Sequence, residues 1–472
     1  MSRIGDRPAP ADVSGSIYLI TSDGQTLKLP MPSRSPRDPL NWSMPKRMVA
    51  MCVLILYSIV SMLETQAASL MYSSLAAEFN GKLLAALSFQ GFAAGLSLSA
   101  SILVVIDLTF IDERPNALGM FWSIGCGGAL LCLPLVPALA EPGWRRFYTA
   151  WIGPCLGMLV CIFFFLPETY FVRPAVAFDG HILVQGGSEM VQMYEDWEKT
   201  PGGQTLAAAQ DEPVAESTWE GIVRRWGVRK SGAGFREMWA CYVQTMLCAC
   251  NPLVFWVAIL NALNFGAMLF IGETYAVVMM QPPYNLPERV ISMVNPVAAI
   301  GSLLAWPVST ILTSRVARRL TLRNGGVRDA EHYLIAFLPA VLAGAGSVFL
   351  YGLTVQYKLS YIWIFVSYLI NAFSAAAYGI ASTLWVTEAF PRWAAPAMVI
   401  VGGAGYMLSF ATSYAVSPWL KSQGYLGANF ELGAILLVVG GVALPLAFWG
   451  KNLRQYIDGK WSKSEAGALR PQ

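Results

Sequence analysis

The 472-residue chain is 55% hydrophobic and only 13% charged, and its 32 basic against 29 acidic side chains leave a formal charge of +3. An ordinary soluble domain carries roughly 25% charge, so this composition excludes one and points to a polytopic membrane protein. The charge balance is too slight to suggest a nucleic-acid partner, and none is expected.

The first 47 residues are polar and proline-rich, without the apolar core and small-residue cleavage site of a secretory signal, so the first span must act as its own insertion signal. Runs of about 20 apolar residues then predict ten transmembrane helices. They run from Met48 to Met71, Leu83 to Ile106, Ala117 to Leu139, Phe147 to Leu166 and Leu253 to Met280, then from Val290 to Leu312, Tyr333 to Leu353, Tyr361 to Trp385, Ala394 to Val416 and Leu432 to Trp449. The expected fold is all-α, four plus six membrane helices. Its parts are an arm (1–47), a four-span bundle (48–169), a central loop (170–245), a six-helix bundle (246–450) and a tail (451–472).

Between the first two spans, only Glu78, Asn80 and Lys82 interrupt the apolar sequence. With the amino terminus in the cytoplasm, 26 of the 32 Lys and Arg residues fall inside, which places both termini there. The sole N-x-S/T sequon, Asn41-Trp42-Ser43, is then internal, and no N-glycan is expected. Cys52, Cys126, Cys132, Cys155, Cys161, Cys241, Cys248 and Cys250 lie mostly within apolar runs and read as small buried hydrophobes, not a disulfide framework or metal site.

In the central loop, "WEGIVRRWGVRK" (219–230) reads as an interfacial amphipathic helix on an anionic leaflet or as a solvated basic linker. "IYLITSDGQTLKLP" in the arm and "AVAFDGHILVQ" in the loop each place Asp-Gly between β-prone runs, a hairpin signal. The two hairpins either pair into one small sheet clasping arm to loop, or both stay unstructured, since isolated hairpins are marginal in water.

"DPLNWS" before the first span, "ERPNAL" after Asp107, "GWRRFY" before the fourth span and "LPETY" after it carry a resemblance. In order and sidedness they resemble the fungal drug:proton antiporter branch (DHA1-like) of the major facilitator superfamily. The resemblance implies twelve spans in two six-helix halves, with a substrate site at mid-membrane between them. It also implies that the segment from "FQGFAAG" to "DLTFIDERP" is the fourth helix, so helices two and three and their basic gating loop are missing at about residues 80–88. The loss of an even number of spans leaves every later loop on its side. At the position of the family's proton-coupling arginine stands Leu87, and the Gly-Pro pair of helix five is absent among Gly119, Gly125, Gly127 and Gly128. An omitted exon or a genuine ten-span variant would both produce this pattern.

Ionisable and polar groups inside spans are the functional candidates. Glu64, with Gln66 beside it, is either a substrate or proton site or a structural hydrogen bonder; Gln90 is its counterpart on the next span. Glu273, at an outer span end, can snorkel to the interface. Asn261 and Asn264, one turn apart on one face, are cavity candidates, and Asn295, Asn371, Tyr378 and Tyr406 complete the polar set, each otherwise interhelical glue. By resemblance, Asp107, Asp112, Glu113 and Arg114 help close a cytoplasmic gate, with Arg315, Arg318 and Arg319 in the second half's equivalent loop; the alternative for the first cluster is a solvated turn. Gly91 with Gly95, and Gly153 with Gly157, read as helix-packing pairs.

His181 and His332 are the only histidines, and HExxH, zinc-spaced and Walker sequences are absent. No enzyme activity, cofactor or metal is expected, and energy must come from a gradient. The expected function is alternating-access transport of a small organic molecule (a drug, toxin, secondary metabolite or polyamine-like cation), driven by protons. The expected location is a multi-pass one in the plasma membrane, although a vacuolar protein would share these features. The second hypothesis is a transport-incompetent protein acting by association. Without two helices, polar groups would open to lipid, and a homo-oligomer would cover them.

Overall fold

The structure is a computed structural model that describes residues 16–18, 28–30, 32, 38–71, 75, 78, 83–141, 143–169, 171, 182–185, 191–194 and 235–461. It is helical nearly throughout. The helices are α1 (Met44–Leu70), α2 (Leu83–Asp107), α3 (Arg114–Cys132), α4 (Leu135–Ala140), α5 (Trp144–Phe165), α6 (Phe235–Ala249) and α7 (Pro252–Met280). They continue with α8 (Glu288–Ser292), α9 (Val294–Arg323), α10 (Phe337–Gln356), α11 (Ile362–Ala389), α12 (Ala394–Gly441) and α13 (Ala443–Trp461). Among the described residues, seven helical stretches are long and apolar enough to cross a membrane: Met44–Ala68, Trp144–Phe165, Pro252–Met280, Glu288–Arg323, Ala330–Gln356, Ile362–Ala389 and Tyr414–Ile457.

Local chemistry explains the helix ends. "DPLNWS" forms a 3₁₀ turn, Pro39–Asn41, whose first turn is capped by buried Asp38 accepting from the Leu40 amide at 3.0 Å. Asn251 caps α7 in the same way, accepting from Leu253 at 2.9 Å, with Pro252 opening the helix. The third predicted span is split, because Pro134 stands where α3 stops and α4 begins. The loop expected between the last two spans is absent: α12 runs on to a sharp break at Gly424, whose φ of 70° suits glycine, and resumes at once. Glu431 ties the two sides of that break, accepting from Trp419 Nε1 at 2.9 Å and Gln423 Nε2 at 2.8 Å.

The small strands differ from the expected clasp. β1 (Ser16–Tyr18) of the arm pairs antiparallel with β4 (Val327–Asp329), just after α9, and β2 (Ile182–Gln185) pairs with β3 (Val191–Tyr194) inside the central loop. The arm is therefore tied to the second bundle directly. The Asp-Gly pairs and residues 219–230 lie outside the described residues.

A large core joins both bundles, running from Leu54 and Phe121 to Trp385 and Leu436. A smaller one, around Leu63, Val136 and Phe147, closes the far end of α1, α4 and α5. α11 is the most enclosed element, with every residue from Ala376 to Ala389 buried, whereas α5 buries Phe147 and Met158 and leaves Ile152, Leu156, Leu159 and Phe163 exposed.

Candidate functional site

A cavity of about 280 Å³ lies where α1, α2 and α3 meet α7, α11 and α12. Its lining includes Gln66, Gly95, Ser99, Trp122, Cys126, Asn261, Asn264, Phe265, Tyr378, Gly379 and Tyr406. The sequence candidates Gln66, Asn261, Asn264, Tyr378 and Tyr406 are thus brought together. The helical spacing of Asn261 and Asn264 puts both amides on that wall.

The other candidates stand elsewhere. Gln90 donates to the Glu64 backbone carbonyl at 2.8 Å, and the Glu64 side chain lies near Tyr57, Tyr148 and Cys155, between α1 and α5. Glu273 is exposed on α7. Asn371 is fully buried and donates to Ser347 Oγ at 3.0 Å; Asn295 is buried on α9 with its Oδ1 unpartnered.

Gly91, Gly95, Gly153 and Gly157 are a correction. A Cβ at any of them would meet nothing within 4 Å. They face open space rather than a neighbouring backbone, and Gly95 instead lines the cavity. Close helix contact falls on α3: a Cβ at Gly119 would press Thr310 Oγ1 at 2.6 Å, and one at Gly125 would press Ser58 Oγ at 2.9 Å.

Sequence reasoning missed Trp122. Its indole fills the space left by Gly379, where a Cβ would come within 2.5 Å of the ring, and its Nε1 donates to Thr383 at 3.0 Å. α3 and α11 are thereby keyed together beside the cavity. Nothing along the chain marks a tryptophan within an apolar run as the partner of a distant glycine.

Further along α3 and α11, outside the cavity lining, two charges meet. Arg114 at the start of α3 pairs with Glu388 at the end of α11, and both side chains are over nine-tenths buried. Glu388 was also missed, although its run of acid, Pro391 and Arg392 parallels Glu113, Arg114 and Pro115. Around the pair, Arg47 binds Glu113 at 2.5 Å and the Leu108 carbonyl at 2.8 Å. The Ile111 amide donates to Leu29 of the arm at 2.7 Å. Since β1 of the same arm pairs with β4, the arm touches both bundles at this end. Beyond it, fully buried Arg454 grips Glu331 with Nε at 2.9 Å and Nη2 at 3.1 Å, and Lys451 holds Asp329 at 3.0 Å. Arg315, Arg318 and Arg319 project from the last turns of α9 as exposed residues, and Asp107 ends α2.

The Major Facilitator Superfamily pattern matches residues 42–327, from the start of α1 to β4. The chain belongs to the Major Facilitator Superfamily. Family membership makes it a membrane protein of a transporter family that handles small molecules. An uncharacterised MFS-type transporter of Schizosaccharomyces pombe is 22% identical over 48% of this chain and 39% of its own length. The efflux pump radE of Floropilus chiversii is 24% identical over 75% of this chain and 60% of its own, and protein HOL1 of Saccharomyces cerevisiae is 20% identical over 37% and 30%. The chain therefore spans less than two thirds of the length of each of these curated relatives. Among solved structures, the human organic anion transporter MFSD10 (TETRAN) covers 84% of the chain at a TM-score of 0.47 and 14% identity. The proton:xylose symporter XylE covers 88% at 0.46 and 13%.

Proposed function

We propose that the chain is a secondary active transporter of small organic molecules, working by alternating access around the cavity between its two helical groups. The observation that carries this reading is that the cavity lies between two helical groups that a buried ion pair, Arg114 with Glu388, also links. Separating the groups at that end requires the pair to part, and such a separation is what alternating access needs. Lys and Arg asymmetry supports assigning this end, the arm and the tail to the cytoplasm. Asp107, Asp112, Glu113 and Arg114 then form the inner gate, with Arg315, Arg318 and Arg319 extending its basic rim.

The quoted motifs and the fungal relatives support the DHA1-like branch, ten spans as four plus six, and a plasma-membrane location. Similarity to the efflux pump radE of Floropilus chiversii supports export. Glu64, an acid inside α1, is the proton-binding candidate. Full-length protein in proteoliposomes under an imposed pH gradient should move one or more of a panel of fluorescent organic dyes, and a protonophore should stop it. Absence of any gradient-driven movement in folded protein would overturn the reading.

A second reading has its own observation. Gly91 of α2 is exposed, and a Cβ there would meet nothing within 4 Å, as on a face left without a neighbouring helix. On that reading the chain does not transport but associates through this face with other membrane proteins or with itself. Sequencing the native transcript across the codons for Asn80 to Ser88 separates the two: about 60 further in-frame residues, two spans and a loop, would restore an ordinary transporter, whereas a matching transcript would favour association.

A further inference from the structure

The outer face of α9 changes character along its length. Its inner face is regular: Ala305, Ser309, Thr313, Ala317 and Thr321 recur every four residues and are buried against the bundle. The outer face begins with Ile300, Leu304, Val308 and Ile311, each about half exposed, and in a bilayer such a face meets acyl chains. Steps of three and four residues carry it on to Arg315, Arg318 and Leu322, with Arg319 and Arg323 beside them, and all five are exposed.

The change falls at the depth of a membrane surface. No charged residue stands between Arg289 and Arg315. From Val294 to Ser314 the helix rises about 30 Å, the thickness of a hydrocarbon core. Arg315, Arg318 and Arg319 occupy the next ~6 Å, roughly the depth of a headgroup layer, and Arg323 stands one turn beyond.

Other cations at this end of the bundle are held by the protein: Arg47 by Glu113, Arg114 by Glu388, Lys451 by Asp329 and Arg454 by Glu331. Among the described residues, no carboxylate, hydrogen-bond acceptor or aromatic ring engages the side chain of Arg315, Arg318, Arg319 or Arg323. A gating contact would need acceptors across the bundle, and the residues by which α9 meets α3, Trp306 and Thr310, lie on another side of the helix. The helix dipole accounts for one of the four, since Arg323 alone stands in the last turn.

We propose that this face of α9 binds an anionic phospholipid, its acyl chains along Ile300 to Ile311 and its headgroup phosphate held by Arg315, Arg318 and Arg319, with Arg323 adding charge. A guanidinium meets a phosphate through two parallel hydrogen bonds, and each basic side chain at a negatively charged leaflet adds attraction. The apolar stretch that leads into the arginines is what suits a lipid rather than a soluble anion. The inference needs the chain to span a membrane, which its family establishes, and is independent of whether it transports.

The test uses purified full-length protein in detergent, titrated with dioleoyl phosphatidylserine or dioleoyl phosphatidylcholine, with the retained lipid counted by native mass spectrometry. The first phosphatidylserine should be held about tenfold more tightly than phosphatidylcholine. Arg315→Gln, Arg318→Gln, Arg319→Gln and Arg323→Gln combined should bring the two lipids to within about twofold of each other. Lys at the same four positions should keep most of the preference, since charge is retained and only the paired hydrogen bonds are lost. Arg289→Gln, at the other end of the span, should leave it unchanged. Glycerophosphoserine, the same headgroup without acyl chains, should fail to displace the lipid at equal concentration.

Equal retention of both lipids by the wild type overturns the proposal whatever the variants do. A preference that survives the four Gln substitutions does so too, because the anionic lipid then sits elsewhere, as does a Lys variant no better than the Gln one. Full displacement by glycerophosphoserine would make this a site for soluble phosphates and not for lipid. The acidic run of the central loop, Glu195, Asp196 and Glu198, lies outside the described residues. If a preference for phosphatidylserine emerges only after Glu195→Gln, Asp196→Asn and Glu198→Gln, the arginines belong to that run and the lipid assignment falls.

Discussion

α9 and α11 differ from α2 and α5 in what their glycines meet. At Gly301 a Cβ would run into the Leu369 backbone carbonyl, and at Gly379 into the Trp122 ring, whereas at Gly91, Gly95, Gly153 and Gly157 it would meet nothing within 4 Å. The second group has the tidier sequence signature, glycines one turn apart. In a bilayer, lipid is as apolar as leucine, so no hydrophobic force presses a small-residue stripe against a neighbour. The stripe becomes an interface only where a helix of complementary shape stands opposite. From Ala376 to Ala389 α11 is enclosed on every side, and α5 has a largely open face.

The contrast predicts its own failures. The largest effect is expected where the two groups are pinned together: Arg114→Leu leaves Glu388 buried and unpaired, which should cost about 3–5 kcal/mol. Combining it with Glu388→Leu should restore most of the loss, and thermal unfolding in detergent followed by tryptophan fluorescence reads both variants. Next, Gly301→Ala should destabilise by about 1–3 kcal/mol, because a backbone carbonyl cannot step aside. Gly153→Ala in the same assay should be neutral or stabilise by up to about 1 kcal/mol, through helix propensity alone. Equal effects at Gly301 and Gly153 would remove the distinction between the enclosed and open helices.

Removing residues 1–30 should leave the bundle's unfolding temperature nearly unchanged. It should raise amide exchange at Ile111 and across Val327–Asp329, which lose Leu29 and β1 as partners. Unaltered exchange there would show that the arm does not bridge the two groups.

The smallest expected effect is at Glu78, whose exposed carboxylate binds Arg145 and Trp144. Hydrogen bonds from Arg145 and then Trp144 hold its pKa below the ordinary carboxylate value. The stabilisation is therefore complete above the unfolded-state value and is lost as pH falls through the lowered one. Relative to the intrinsic exchange rate at each pH, amide protection over Trp144–Tyr148 should fall at acid pH in the wild type, and that fall should flatten in Arg145→Ala.

Much of the site was legible one residue at a time. Asn261 and Asn264 were visible as amides sharing a helical face inside an apolar run, and Arg114 as a lone cation at a span end. What escaped was pairing. Trp122 matters because Gly379 opposes it, and Glu388 because Arg114 does; in each pair, more than 250 residues of sequence separate the partners. The arm strand escaped for the same reason. Asp-Gly marks a turn locally, but the strand that pairs with β1 is supplied by backbone at Val327–Asp329, which carries no turn signal of its own.

By itself, the sequence determined that this is a helical membrane protein, roughly where its helices start and stop, and which polar side chains fall within apolar runs. Composition, apolar run length and capping residues act locally, within a turn or a span. Only the tertiary structure decided which glycines touch a neighbour, which charges meet across the bundle and which way the Asn264 amide is turned. Those outcomes depend on distances between helices far apart in the chain, and each hydrogen bond's direction is set by the partner that has already spent its proton.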